Sequence, residues 1–315
     1  MVIKEKNNMD NYIFKLSPLV SRKTVRFNNR YGIELAADLY TPKDMDNASQ
    51  YSALVIGPPY SGVKEQGPGI YAQEMAKRGY VALAFDPSFN GFSGGTPRHA
   101  SSPDIFVEDF SAGVDYLGTR HFVDRNRIGA IGICGSGSFA LSATAVDMRI
   151  KAVATASMVD ISGAAQQGTK EERQARLTKL AEQRYVDFEN DQPALGNRGA
   201  ALADETDDPV FREFGDFYFT SRGFHPNSIT QFTATSDIAF MNFTLLDKIN
   251  EISPRPIMLV AGENAFSKFF SDNAYAAAAE PKELVLVPNA NHIDLYDDIT
   301  KIPFDKLQVF FDDAM

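Results

Sequence analysis

The sequence is nearly free of cysteine: Cys134 is the only one among 315 residues. A lone cysteine excludes an internal disulfide and any metal site built from a cysteine cluster. It also fits a reducing compartment, so we expect a cytoplasmic protein. We expect neither a metal nor a cofactor.

Basic residues are outnumbered as well, with 31 Lys and Arg against 41 Asp and Glu and a net charge of −10. The sequence has no block rich in Lys or Arg, so nucleic acid and anionic membranes are not expected as partners. No apolar stretch approaches the roughly 20 residues of a membrane span. Residues 1–19 lack the apolar core of a signal peptide, so we expect no secretion signal there.

Apolar runs of strand length alternate with patterns of helical spacing along most of the chain. Two strands near the N-terminus, separated by residues 29–32, are typical of an antiparallel hairpin. The later alternation predicts an α/β fold, with a mostly parallel twisted sheet wrapped by helices. A polar segment between two predicted strands is far longer than the usual connection of about 4–6 residues. We predict an N-terminal arm (1–20), a core (21–159 and 241–315) and a helical cap insertion, the cap segment (160–240).

A buried strand, residues 128–133, runs into Cys134 and then into a predicted helix. A strand that turns sharply into a helix around Gly-x-nucleophile-x-small has the form of a nucleophile elbow. Gly132 and Ser136 provide the small residues, so Cys134 is the candidate nucleophile. The start of the helix should lower the pKa of its thiol. Ser136 is the rival nucleophile, but the apolar run ends directly before Cys134.

The candidate base is His292, in the loop after the last predicted strand. Nucleophile, acid and base follow one another in that order along an α/β-hydrolase chain. The acid should follow the strand at 257–261, where Glu263 is the carboxylate, and it would orient the imidazole. Asp294 and Asp237 are the alternatives.

An oxyanion hole needs two N–H donors near the nucleophile. Gly135, directly after the nucleophile, should provide one. The other should come from the loop after the third strand. Pro58 and Pro59 have no N–H, so Tyr60 is the first available donor.

Further along that loop, two arrangements are open: Lys64 and Glu65 pair with each other, or Glu65 approaches the thiol. We favour the pairing of Lys64 with Glu65. Asp86 and Ser93 should brace the loop after the fourth strand. The cap segment carries a cluster of aromatic residues. Because ligand pockets combine apolar walls with a few polar groups, we predict substrate contacts there. The residues predicted to make them are Phe217, Phe224 and His225.

Four motifs together resemble the dienelactone-hydrolase-related branch of the α/β-hydrolases. They are residues 127–137 around the cysteine, Gly62-Val-Lys-Glu-Gln66, Phe85-Asp86 with residues 91–98, and His292-Ile-Asp-Leu-Tyr-Asp297. The resemblance spans residues 20–315 and implies a Cys-His-Asp triad, with Cys134 and His292 in the first two places. At the acid, the usual Gly-x-x-Asp is replaced by Gly262-Glu-Asn-Ala265. The overall pattern is closer to bacterial proteins of unassigned substrate and to fungal polyketide transferases.

The sequence therefore predicts a hydrolase that acts on an ester, lactone or thioester through an acyl group on Cys134. One alternative is an acyltransferase that moves the acyl chain to an alcohol or amine. A second is a non-catalytic scaffold that binds a ligand, since fold alone does not determine function. The expected partner is a small molecule with an acyl group, and the sequence leaves a homodimer open.

Overall fold

The computed structural model describes residues 11–46, 48–202 and 204–315. Residues 1–10 of the predicted N-terminal arm lie outside these ranges. The rest of the arm lies against the core: the Ile13 N–H donates to the Glu65 carbonyl at 3.2 Å, and the Ser17 N–H donates to Gln73 Oε1 at 2.7 Å. These contacts do not test the predicted domain boundaries, which stay a prediction.

In the part of the chain that the structure describes, eight strands form one sheet in the order β1-β2-β4-β3-β5-β6-β7-β8. The strands are β1 Val20–Asn28, β2 Glu34–Pro42, β3 Tyr51–Gly57, β4 Val81–Phe85, β5 Val123–Ile133, β6 Ile150–Ala156, β7 Ile257–Gly262 and β8 Lys282–Val287. β1 pairs with β2, and β2 with β4, in antiparallel fashion, and all other neighbours are parallel. The predicted α/β architecture, with its N-terminal hairpin and mostly parallel sheet, is confirmed.

Within the described ranges, ten α-helices connect and cover these strands. They are α1 Gly67–Lys77, α2 Pro103–Gly118, α3 Ser136–Val146, α4 Ile161–Ala165, α5 Lys170–Glu189, α6 Pro209–Tyr218, α7 Asp237–Asn242, α8 Lys268–Ala277, α9 Asp294–Asp297 and α10 Phe304–Ala314. The helices α4 to α7 follow one another between β6 and β7, which confirms a helical insertion at that point. None of the helices in the described ranges is long and apolar enough to cross a membrane.

The central strands of the sheet, β3 to β7, are largely buried on both faces, as expected for parallel strands covered by helices. Successive side chains of a strand point to opposite faces, so Leu54 and Ile56 of β3 join one apolar cluster and Val55 joins the other. The first cluster includes Tyr71 of α1, and the second includes Phe110 of α2. A sheet held in this way is a rigid base for the loops at its carboxyl edge.

Candidate active site

Cys134 lies at a tight turn between β5 and α3. Its φ of 53° is in the left-handed region, which a residue with a side chain adopts only when its surroundings enforce it. The Cys134 N–H donates to the Ala156 carbonyl at 2.9 Å, and the Cys134 carbonyl accepts from Val159 at 3.0 Å. A Cβ on Gly132 would lie 2.2 Å from the Ser136 carbonyl oxygen, so that position requires glycine. This is the geometry of a nucleophile elbow.

The rival nucleophile, Ser136, is the first residue of α3 and is buried. Its side chain packs beside Gly57 of β3, close enough that a Cβ on that glycine would touch it. Ser136 therefore faces the interior of the protein, whereas Cys134 opens into a cavity.

The thiol of Cys134 is surrounded by hydrogen-bonding groups. Burial raises its pKa, while hydrogen bonds with the Tyr296 hydroxyl and with the backbone N–H groups of Tyr60 and Gly135 oppose that shift in part. The prediction that the start of α3 lowers the pKa of the thiol is therefore wrong, because burial raises this pKa by more than the hydrogen-bond donors lower it. The thiol is protonated at neutral pH and needs a base. The two predicted oxyanion donors both lie at the sulfur.

His292 is fully buried in the loop after β8. Its Nδ1 lies 2.5 Å from Ser267 Oγ, and its Nε2 lies 3.0 Å from the Tyr296 hydroxyl. The Ser157 hydroxyl donates to its backbone carbonyl at 2.8 Å and fixes the loop. Burial lowers the pKa of His292 to about 3, so the imidazole is neutral and able to accept a proton.

The hydroxyl of Tyr296 bridges the thiol and the imidazole. It contacts both Cys134 and His292 Nε2, and the ring is fully buried. Tyr296 follows His292 by four residues, so the short helix α9 returns its side chain to the imidazole. Sequence reasoning missed this residue, although it lies within the motif His292-Ile-Asp-Leu-Tyr-Asp297.

Glu263, which the sequence predicts to orient the imidazole, does not contact it. It is exposed, and its carboxylate accepts from the Asn289 N–H at 3.4 Å instead of contacting the imidazole. Of the two alternatives, Asp294 binds Lys301 Nζ at 2.6 Å, and Asp237 lines the cavity. The hydroxyl of Ser267 therefore stands where a triad would have its acid, because the loop after β7 directs Glu263 outward.

Cys134 opens into a cavity of about 630 Å³. Its wall is mostly apolar, and its larger members are Tyr60, Val159, Ile161, Leu180, Leu195, Phe214, Tyr218, Phe232 and Phe266. Most of these residues come from the cap segment and the loops beside it. A larger open groove, of about 730 Å³, lies against α10 and contains none of the candidate site residues. Among the residues that the structure describes, no group of three or more potential ligands could hold a metal ion.

The three residues predicted to contact substrate do not line this cavity. Phe217 is buried in the core with its ring centroid 5.4 Å from that of Tyr296. Phe224 is 56% exposed, and His225 is buried with Nε2 3.8 Å from Glu65 Oε2. Other aromatic residues of the same cluster form the wall. Phe214 and Tyr218, four apart on α6, share the face that meets the cavity, and the sequence did not reveal which face that would be.

A buried polar cluster lies beneath the loop that carries Tyr60. Lys64 Nζ forms an ion pair with Glu65 and lies 3.5 Å from Asp38 Oδ2. The favoured pairing is therefore the one observed. Burial raises the pKa of Glu65, and the charge of Lys64 opposes that shift in part. Asp86 accepts from the backbone N–H of Lys64 at 2.8 Å, and the Ser93 hydroxyl donates to the Asp86 carbonyl at 2.6 Å, so both brace the loops as expected.

Comparison with known proteins gives a consistent set of relatives. Residues 31–208 match the family described as X-Pro dipeptidyl-peptidase (S15 family). The chain is 49% identical to the uncharacterized protein PA2218 of Pseudomonas aeruginosa over 96% of this chain and 83% of that protein. The crystal structure of PA2218 superposes with a TM-score of 0.94, at 48% identity, over all of both chains.

Two further relatives widen that set. The uncharacterized protein YcjY of Escherichia coli is 33% identical over 86% of this chain and 90% of its own length. The polyketide transferase grgF of a Penicillium species is 26% identical over 89% of this chain and 93% of its own. The structure of GrgF, described as an alpha/beta hydrolase, shares the fold with a TM-score of 0.79 at 22% identity, over 94% of this chain and 99% of that one. These relatives indicate an enzyme of the hydrolase or acyltransferase type.

Proposed function

The chain belongs to the X-Pro dipeptidyl-peptidase (S15) family of α/β-hydrolases, and we propose that it hydrolyses an ester, lactone or thioester through an acyl group on Cys134. One observation carries the proposal. The thiol lies at the elbow, in contact with the N–H groups of Tyr60 and Gly135, and opens into an apolar cavity. A carbonyl carbon beside this sulfur would place its oxygen near both donors, which is the arrangement that stabilises a tetrahedral oxyanion.

The first step is removal of the thiol proton. This step uses the His292 tautomer with its proton on Nδ1, which donates to Ser267 and leaves Nε2 free to accept from Tyr296. The thiol proton passes to the Tyr296 oxygen while the Tyr296 proton passes to His292 Nε2. The sulfur then attacks the acyl carbon, and the N–H groups of the oxyanion hole receive the developing charge.

The second step releases the alcohol or thiol of the substrate. The tetrahedral intermediate collapses, the bond from the acyl carbon to the leaving group breaks, and the imidazolium returns its proton through Tyr296 to that group. The product is a thioester on Cys134. Water then attacks the thioester by the same proton route, releasing the acid and restoring the thiol.

The resting site differs from an ion pair of thiolate and imidazolium. Burial raises the pKa of Cys134 and lowers that of His292, so the neutral pair is favoured. A carboxylate beside Nδ1 would stabilise the imidazolium, but Ser267 offers only a hydroxyl dipole. The charged state therefore forms transiently, when substrate supplies an oxyanion and the oxyanion donors hold it.

A second candidate is acyl transfer to an alcohol or amine. The mostly apolar wall favours it, because water in such a cavity competes poorly with a bound acceptor. The relative called a polyketide transferase is a further support. Adding alcohols and amines to the acylated enzyme distinguishes the two: a transferase forms the new ester or amide faster than it releases the acid.

Intact-protein mass spectrometry after exposure to a set of short and long acyl thioesters tests the proposal. Wild type should gain one acyl mass and lose it again with turnover, whereas Cys134→Ala should gain none. Ser136→Ala is the matched control, since its side chain lies outside the cavity, and it should acylate like wild type. Equal turnover by wild type and Cys134→Ala would contradict the proposal, whereas neither acylation nor turnover in wild type would favour the non-catalytic scaffold.

A further inference from the structure

One carboxylate lies in the wall of the mostly apolar cavity. It belongs to Asp237, the first residue of α7, and no Lys, Arg or His lines the cavity in the described part of the chain. An acyl chain with a negative charge would therefore meet a like charge and no cation. Asp237 has no role in the proposed acylation of Cys134.

Within the described ranges, the carboxylate of Asp237 accepts no hydrogen bond and forms no ion pair within 4.0 Å. The guanidinium of Arg176, whose charge acts on Asp237, instead donates to the carbonyls of Ala165 at 3.0 Å and Gln167 at 2.7 Å. Desolvation by the surrounding protein raises the pKa of Asp237, and Arg176 opposes that shift only in part. The side chain is exposed and lines the cavity, so its carboxylate is accessible to a group that enters there. The cavity is where a partner can enter.

Two hydroxyl groups of the same wall are also unpaired. Tyr218 Oη and Thr230 Oγ1 are buried, and in the described part of the chain neither has a hydrogen-bond partner. Thr230 has a φ of 57°, a conformation that is strained for a β-branched residue and that its surroundings must enforce. The cavity thus combines apolar walls with three polar groups that the protein itself leaves unsatisfied.

We propose that Asp237 is the specificity-determining residue of the cavity and binds a hydrogen-bond donor, a hydroxyl or an ammonium group, on the acyl part of the substrate. This inference rests on the proposed function, because it assumes that the acyl chain on Cys134 occupies the cavity. The substrate class is then an apolar acyl chain with one donor group at a fixed distance from the carbonyl, and acyl chains ending in carboxylate are excluded.

N-acetylcysteamine thioesters in a series of chain lengths, each ending in methyl, hydroxyl, ammonium or carboxylate, test the proposal. At the matching length, wild type should prefer the donor-bearing chains over the methyl-ended chain by about 10-fold in kcat/KM. Asp237→Asn still accepts a hydrogen bond, so it should keep the preference for hydroxyl and lose that for ammonium. Asp237→Leu should lose both. Asp216→Asn, on the exposed side of α6, is the matched control and should keep both.

The proposal is overturned if wild type prefers no donor-bearing chain at any length, or if Asp237→Leu retains the preference. Failure of the proposed function looks different: no thioester would acylate Cys134 in wild type. In that case calorimetric titration with the corresponding amides, which need no chemistry, still decides the point. Tighter binding of donor-bearing amides to wild type than to Asp237→Leu supports a role for Asp237, and equal binding excludes it.

Discussion

The loops at the carboxyl edge of the sheet and the cap segment contribute to the same cavity by different physical means. At the sheet edge, the backbone positions the chemistry: the strained turn fixes Cys134, and two N–H groups meet its sulfur. In the cap segment, the choice of helix face decides which side chains reach the cavity. The position of a backbone group follows from the fold, whereas the direction of a helix face depends on how that helix packs. The two regions should therefore respond differently to substitution.

The largest expected contrast is between two glycines. A Cβ on Gly132 would lie 2.2 Å from the Ser136 carbonyl oxygen, whereas a Cβ on Gly199 in the cap segment would approach the Thr230 carbonyl oxygen only to 3.6 Å. Gly132→Ala should therefore lower the free energy of unfolding by about 3 kcal/mol or prevent folding. Gly199→Ala should change it by less than about 0.5 kcal/mol. Urea unfolding of both variants measures the difference, and similar losses would show that the elbow is not the tighter region.

The next contrast concerns two buried tyrosines that differ in one hydrogen bond. The Tyr296 hydroxyl contacts His292 Nε2 at 3.0 Å, whereas the Tyr218 hydroxyl, buried in the wall of the cavity, has no partner in the described ranges. Tyr296→Phe should slow acylation of Cys134 by about 100-fold, because the proton route to the imidazole is interrupted. Tyr218→Phe should slow it much less.

Stopped-flow measurement of leaving-group release under single-turnover conditions gives both acylation rates, and circular dichroism checks that both variants fold. If Tyr296→Phe acylates at the wild-type rate, the proton passes directly between Cys134 and His292, and the proposed proton transfer through Tyr296 is wrong.

This division explains how much of the site could be predicted. The positions of Cys134 and His292 follow from the order of strands and the loops after them. The N–H of Gly135 follows from the elbow, and that of Tyr60 from the loop after β3. Ser267 could not be foreseen, because nothing local indicates that the chain after β7 turns its serine, and not Glu263, toward the imidazole.

The cap segment illustrates the other limit. The aromatic cluster was visible in the sequence, but its helical periodicity does not state which stripe meets the sheet and which meets the cavity. The sequence predicts a substrate contact for Phe217, whereas Phe214 and Tyr218 line the cavity. An amphipathic pattern gives the spacing of a face, and only tertiary packing gives its direction.

Two phenylalanines on α6 test that distinction. Phe217 is fully buried against Tyr296, so Phe217→Leu should lower the free energy of unfolding by about 1.5 kcal/mol. Phe214 lines the cavity, so Phe214→Leu should raise KM about fivefold through lost apolar contact, with a smaller effect on stability. Urea unfolding and steady-state kinetics on each variant serve as controls for one another. If Phe217→Leu instead raised KM and Phe214→Leu mainly lowered the stability, Phe217 would be the residue that contacts substrate.

The smallest expected effect is a pH dependence at the contact between the two regions. Nε2 of His225, from the cap segment, lies 3.8 Å from Glu65 Oε2, and the centroids of the His225 and Phe92 rings are 6.2 Å apart. Burial, with the nearby charge of Lys64, lowers the pKa of His225 to about 4 from its ordinary 6.5. The unfolded chain thus takes up this proton first, and the contribution of His225 to stability is present above about pH 6.5 and is lost as the pH falls through 4.

His225→Asn keeps an acceptor for the Asn227 N–H, which donates to His225 Nδ1 at 3.2 Å, but cannot titrate. Between pH 7 and 5 the free energy of unfolding should therefore fall by about 1.5 kcal/mol less in this variant than in wild type. His292 titrates in the same window in both proteins, so only the difference between them is informative. The exposed His121, changed to Asn, is the control. If His225→Asn and His121→Asn show the same pH dependence, the cap segment is not held to the core through a neutral His225.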